Sequence, residues 1–152
     1  MFGQIFSLHI HDIKIDFCVY YILIIILSDG NIRLPSERGI IMKIKIYQIN
    51  TDKDEHRLAF FDLEATKTLQ KSDEIDSSIY DIVYTGEVDC ITLEDVYRKF
   101  NTQHPEGYKG WSLSVSDVVE VIESDEVKPG FYFCDSVGFA KVTFDSTRCG
   151  VR

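Results

Sequence analysis

Basic residues are in the minority in this 152-residue chain: 16 Lys and Arg stand against 25 Asp and Glu, for a formal net charge of −9. A protein built to grip a nucleic-acid backbone needs a basic face to displace counterions, so direct nucleic-acid binding is not expected. Proline is scarce, with three residues, and no Pro-, Gly- or Ser-rich linker or internal repeat follows Met42. The four cysteines, Cys18, Cys90, Cys134 and Cys149, show no CxxC spacing. This removes the signature of a structural zinc site, and no export signal accompanies them. They read as reduced thiols of a cytoplasmic protein. No cofactor and no metal is expected. Asp73, Glu74 and Asp76 resemble part of a calcium loop but lack its glycine and distal Glu.

A long hydrophobic run is also missing. The longest, Phe17 to Leu27, has 11 residues, whereas a bilayer-spanning helix needs about 20. Asp12, Lys14 and Asp16 before it and Ser28-Asp29-Gly30 after it do not make a secretory signal either. Residues 1–41 hold eleven isoleucines, and Ser36 to Met42 can be encoded by a purine-rich tract a few bases ahead of an ATG. That layout matches a ribosome-binding site before a start codon. The leader 1–41 is therefore expected to be translated upstream DNA, with the native chain beginning at Met42. The alternative is a short hydrophobic segment, a hairpin or a membrane-associating stretch. No membrane contact is expected if the chain starts at Met42.

What remains is rich in order. Apolar residues make up 45% of the chain, enough to bury a core. Lys43 to Ile49 alternates as a half-buried strand with its lysines in solvent. Leu58 to Phe61 is an extended apolar entry to a helix over about Asp62 to Gln70. Tyr80 to Tyr84 is a strand ending at Gly86. Thr92 and Asp95 form a capping box in which Asp replaces Glu, and Leu93, Val96, Tyr97 and Phe100 fall on one helical face. Asn101 is the expected C-cap, and Pro105 bars continuation. Ser112 to Asp117 alternates with Leu113 and Val115 and reads as extended, leading through a turn at Ser116-Asp117 into a strand over Val118 to Ile122. Phe131 to Cys134 and Phe139 to Phe144 make a closing hairpin, and residues 145–152 form a tail expected to fray. The fold class that follows is α+β: a mainly antiparallel sheet with two helices, in the order strand-helix-strand-helix-strand-hairpin.

Chemistry is harder to find. Cys134 with His104 would make a nucleophile pair, but a cysteine inside FYFC is ordinarily a core thiol. Ser112, Ser114 or Ser116 with His104 and Asp117 supplies the residue types of a hydrolase triad, without any nucleophile elbow. The loop after the second helix is the best surface candidate, because aromatics, His and Gly on a loop commonly make contacts. The candidate residues are His104, Tyr108, Trp111, Ser112, Ser114, Ser116 and Asp117. The competing reading has Tyr108 and Trp111 plugging the core. For Asp117, local turn chemistry is favoured over a role as a site acid.

The block HPEGYKGWSLSVSDVV at 104–119, with YDIVYTGE at 80–87 and FYFCDSVGF at 131–139, resembles the YodL-like domain over about Lys43 to Thr143. The resemblance implies a fold-sized unit over 42–144 and a setting in Firmicutes, as an accessory module of conjugative mobile elements. It implies no catalytic residues. The leading expectation is a non-enzymatic domain whose partner is a protein. The alternatives are an acidic inhibitor that imitates nucleic acid, of anti-restriction or anti-CRISPR type, and a small hydrolase.

Overall fold

The computed structural model describes residues 41–152. The leader 1–41, apart from Ile41 itself, lies outside the described residues, and so does the expectation about where the chain starts. The order is β1 (Met42–Ile49), α1 (Leu63–Gln70), β2 (Tyr80–Val88), α2 (Leu93–Thr102), β3 (Val118–Glu123), β4 (Gly130–Cys134), β5 (Phe139–Val142) and β6 (Gly150–Val151). Six strands form one sheet in the order β5-β4-β3-β1-β2-β6. Every pairing is antiparallel except the short parallel contact of β6 with β2. The α+β class and the two helices are as the sequence predicts.

β1 is the central strand, and its parity divides the core. Met42, Ile44 and Ile46 point to the face covered by α2, where they meet Tyr84, Val88, Val119, Val121 and the α2 residues Leu93, Val96 and Phe100. Tyr47 and Ile49 point to the other face, into a cluster with Leu58, Ile75, Tyr80, Val118, Phe133 and Phe144. Lys43 and Lys45 share that second face; Lys43 is exposed, and the half-buried Lys45 pairs with Glu120 at 3.3 Å. A bulge between Ile46 and Tyr47 matches Tyr84 and then Ile82 as successive partners, leaving Val83 as the extra residue.

Local signals account for the helices. Thr92 accepts from the Asp95 N–H at 3.1 Å, and the Asp95 carboxylate accepts from the Thr92 N–H at 3.1 Å, completing the capping box at α2. Asp62 caps α1 by accepting from Ala65 N at 2.8 Å. Each cap stabilises its helix by about 1 kcal/mol.

Four expectations are corrected. β2 runs through Gly86 to Val88, because the Tyr84 ring lies across Gly86 where a side chain would otherwise stand. The glycine accommodates a neighbour instead of ending a strand. Asn101 is not the C-cap of α2; Gln103 is, and Asn101 bridges Tyr97 O (2.8 Å) and Leu113 O (2.9 Å). The segment Ser112 to Asp117 is not a strand, since Ser114 and Asp117 pair with each other in a turn described below. The tail, read as having no pattern, carries two short elements. Asp145 caps a 3-10 turn at Ser146–Arg148, and β6 then pairs with Asp81 and Ile82. Arg148 pairs with Asp76 at 3.1 Å and Arg152 N donates to Ile82 O at 3.2 Å; the buried Asp81 carboxylate receives Lys53 Nζ and Asn50 Nδ2, each at 2.7 Å, with Arg152 Nε at 3.8 Å.

Candidate functional site

The loop between α2 and β3 is assembled on one buried side chain, Gln48. It stands in phase with Met42, Ile44 and Ile46 on β1 and is 0% exposed. Its Nε2, with two hydrogens to give, has three acceptors within reach, Asp117 Oδ2 (2.9 Å), Trp111 O (3.0 Å) and the Tyr108 hydroxyl (3.1 Å), and its Oε1 accepts from Trp111 N at 3.1 Å. The amide thus pairs with the Trp111 backbone through both its donor and its acceptor. A buried polar group left unpaired would cost about 1–3 kcal/mol, and here each one is matched. Nothing in the sequence singles out Gln48 except its parity with the three apolar residues before it.

Aromatic packing carries the loop up to that anchor. Phe100, at the end of the apolar face of α2, meets the Tyr84 ring edge-on at 5.0 Å and the Tyr108 ring at 4.9 Å. His104 stacks on the outer side of Tyr108 at 5.0 Å. Gly107, at φ +80, makes the turn that a side chain would strain. Lys109 N then donates to the bulge carbonyl of Val83 at 2.9 Å. At Gly110 the backbone approaches Gln48 so closely that a Cβ would collide with its Oε1 and with the Tyr108 ring.

With its main chain fixed inward, Trp111 turns its indole to the surface. The Arg152 guanidinium lies 4.8 Å from the ring centroid. Arg152 N donates to Ile82 O at 3.2 Å, and Lys109 Nζ donates to Arg152 O at 2.8 Å, so Arg152 is clasped against the loop. A cleft of about 480 Å³ opens beside His104, walled by Ile41, Val88, Lys99 and Glu106 among others.

The seven candidate residues therefore separate. His104, Trp111 and Ser112 are exposed, and Tyr108 is a half-buried plug. Ser116 and Asp117 are buried, which removes them from the surface set; Asp117 is 2% exposed. Asp117 Oδ2 accepts from Ser114 N at 2.8 Å, and Asp117 N donates to Ser114 O at 3.1 Å, closing the turn. Ser116 N donates to Cys134 O (3.0 Å), Ser116 O accepts from the Tyr80 hydroxyl (2.9 Å), and its Oγ accepts from Phe60 N (2.9 Å). Burial pushes the Asp117 carboxyl up to about 7, against the opposing pull of the Ser114 and Gln48 donors.

The triad geometry is not assembled. The Asp117 carboxylate is committed to Gln48 and Ser114, and the imidazole of His104 rests on Tyr108. Cys134 is buried, and desolvation pushes its thiol up to about 12, with Asp117 and Asp135 adding to the shift. An activated thiolate nucleophile requires the reverse.

The family model described as the YodL-like domain matches residues 43–144. The chain belongs to the YodL-like domain family. No curated protein and no solved structure matches it. The matched span of the YodL-like domain contains Gln48, the loop and the Asp117 turn. Arg152, which covers one side of the indole, lies beyond that span.

Proposed function

We propose that this YodL-like domain is a non-enzymatic protein-interaction module, an accessory domain in a mobile-element setting, with its contact surface centred on Trp111. One observation carries the reading. The indole is held outward by main-chain pairing to Gln48, with an arginine guanidinium stacked beside it. A pre-positioned Trp and Arg pair at a surface is the composition that concentrates binding energy at protein interfaces, because little side-chain freedom is lost on contact. His104 and Ser112 flank it in solvent. The net charge of −9 favours a protein over a nucleic acid as the partner.

A photo-crosslinking amino acid placed at Ser112 in native cells tests this. The expected result is a discrete crosslinked protein, lost when Trp111→Ala is added. With that partner purified, Trp111→Ala should weaken binding by about 2 kcal/mol or more while the melting midpoint stays near wild type, because the network uses only the Trp111 backbone. Crosslinking to nucleic acid, or an unaltered pattern in Trp111→Ala, would refute the reading.

A further inference from the structure

A second feature of the surface is independent of the Trp111 loop. Between β1 and α1 the chain carries Phe60 at 65% exposure and Phe61 at 43%. Phe60 has φ +72, a left-handed conformation that costs a bulky residue about 1 kcal/mol or more and that glycine adopts freely. The loop cannot relax by turning these rings inward, because its backbone is held from three sides. Asp54 accepts from Leu58 N (2.8 Å) and Ala59 N (3.0 Å), Ser116 Oγ accepts from Phe60 N (2.9 Å), and Asp135 Oδ1 accepts from Leu63 N (3.3 Å). Leu58 already occupies the inward position and is buried.

The same contacts place a third apolar side chain nearby. Asp135 opens the tight turn between β4 and β5, closed by Asp135 N donating to Gly138 O at 3.0 Å. Val137 projects from that turn at 91% exposure. Two exposed aromatic rings thus stand on backbone that is tied through Leu63 N to Asp135, two residues from the exposed Val137. The Asp62 and Asp135 carboxylates lie at the N-terminus of α1, accepting from Ala65 N (2.8 Å) and Leu63 N (3.3 Å), and Glu64 follows in its first turn; Arg57 and Lys67 are the cations nearest along the chain.

We propose that Phe60, Phe61 and Val137 form a second docking surface, whose occupant is a basic amphipathic segment of a partner protein: aliphatic anchors flanked by Lys or Arg. The apolar centre offers the area that such anchors bury, and the carboxylate rim selects positive flanks over negative ones. The strained, outward Phe60 is what a surface selected for contact retains at the expense of the folded chain.

The test uses the full chain and two labelled peptides about 18 residues long, enough to hold a helix: one of Leu and Lys in amphipathic register, one of Leu and Glu. Fluorescence anisotropy should show the Leu/Lys peptide binding, the Leu/Glu peptide not binding, and Trp111→Ala binding as wild type does. Phe60→Ser/Phe61→Ser should weaken binding about tenfold or more. This double variant leaves the net charge unchanged, so undiminished binding would mean general attraction to an acidic surface and would overturn the proposal. Phe60→Gly supplies the folding control: its melting midpoint should equal or exceed that of wild type, with binding weakened. A lowered midpoint would show that the ring packs inward, which overturns it too. Sedimentation showing self-association that the double variant abolishes would make the occupant a second copy and refute the basic partner.

Discussion

The loop after α2 contains two glycines, Gly107 and Gly110, and the loop after β1 contains none. The first puts Gly107 at its left-handed turn and uses Gly110 to let the backbone close on Gln48. The second forces Arg57 (φ +54) and Phe60 (φ +72) into the same region of backbone space. The first has its polar groups matched inside and one aromatic pair outside. The second has its backbone fixed by three side-chain acceptors, Asp54, Ser116 and Asp135, and its aromatics left in water. Glycine lets the turn at Gly107 and the close approach at Gly110 be built without strain, while Ser116, at φ +79, keeps strain at the far end of the same loop. Where glycine is absent, comparable fixity is reached by distant acceptors that overdetermine an unfavourable conformation.

The largest effect that would sharpen this contrast is expected at Phe100, which supports only the first loop. It is buried between Tyr84 and Tyr108, and Phe100→Ala should destabilise by about 3–5 kcal/mol. Trp111 fluorescence should shift with it, because Tyr108 loses its seat beneath Gln48. A denaturant melt showing a loss under about 1 kcal/mol would mean that the first loop does not rest on α2.

Next in size is the pH response of the first loop's anchor. Asp117 titrates near 7 in the folded chain and near 3.9 when unfolded. Between those values the native state holds a proton that the unfolded state has released, so this group's contribution to stability falls as pH rises through the window. Asp76 and Asp81 have depressed values and act oppositely. Their contribution is present above the unfolded value and is lost as pH falls through the folded one. Comparing pH 5 with pH 8 therefore isolates Asp117. Wild type should lose about 2–3 kcal/mol relative to Asp117→Asn over that interval. Parallel stability profiles for the two proteins would show that the carboxylate is ionised throughout.

How much of this could be read from the residues follows the same divide. The capping box at Thr92 and Asp95, the α2 face and the alternation of β1 over Met42 to Lys45 are local patterns whose causes lie within a few residues, and they were legible; the burial of both faces over Ile46 to Ile49 was not. The loop rich in His, Gly and aromatics was legible as a contact candidate, as was the turn role of Asp117. Gln48 was not, because a polar residue on a strand is ordinarily assigned to solvent and its partners lie about sixty residues away. Ser112, Ser114 and Ser116 imitate strand alternation, yet the operative spacing is Ser114 to Asp117, a turn. Phe60 was read as part of an extended apolar entry, and its left-handed backbone corrects that: its N–H turns to Ser116 Oγ, a contact that no local pattern announces. The elements of the tail gave no signal for the same reason, since its partners, Asp76, Ile82 and Lys109, lie far away in the sequence.

The smallest expected effect is at Ser116, where the two loops meet. Ser116 is buried at φ +79, and its Oγ receives Phe60 N from the strained loop. Ser116→Ala keeps the unfavourable backbone and removes the acceptor, leaving a part-buried N–H unpaired, so a loss of about 1–2 kcal/mol is expected. Ser116→Gly removes the same acceptor but relieves about 1 kcal/mol of left-handed strain, and the two changes should nearly cancel. The difference between the variants measures the strain that the loops share at their junction. Equal losses for alanine and glycine would show that Ser116 carries no backbone strain. A larger loss for glycine would mean that the Ser116 Cβ packs in the core, and the account of two loops joined through one strained acceptor would then fail.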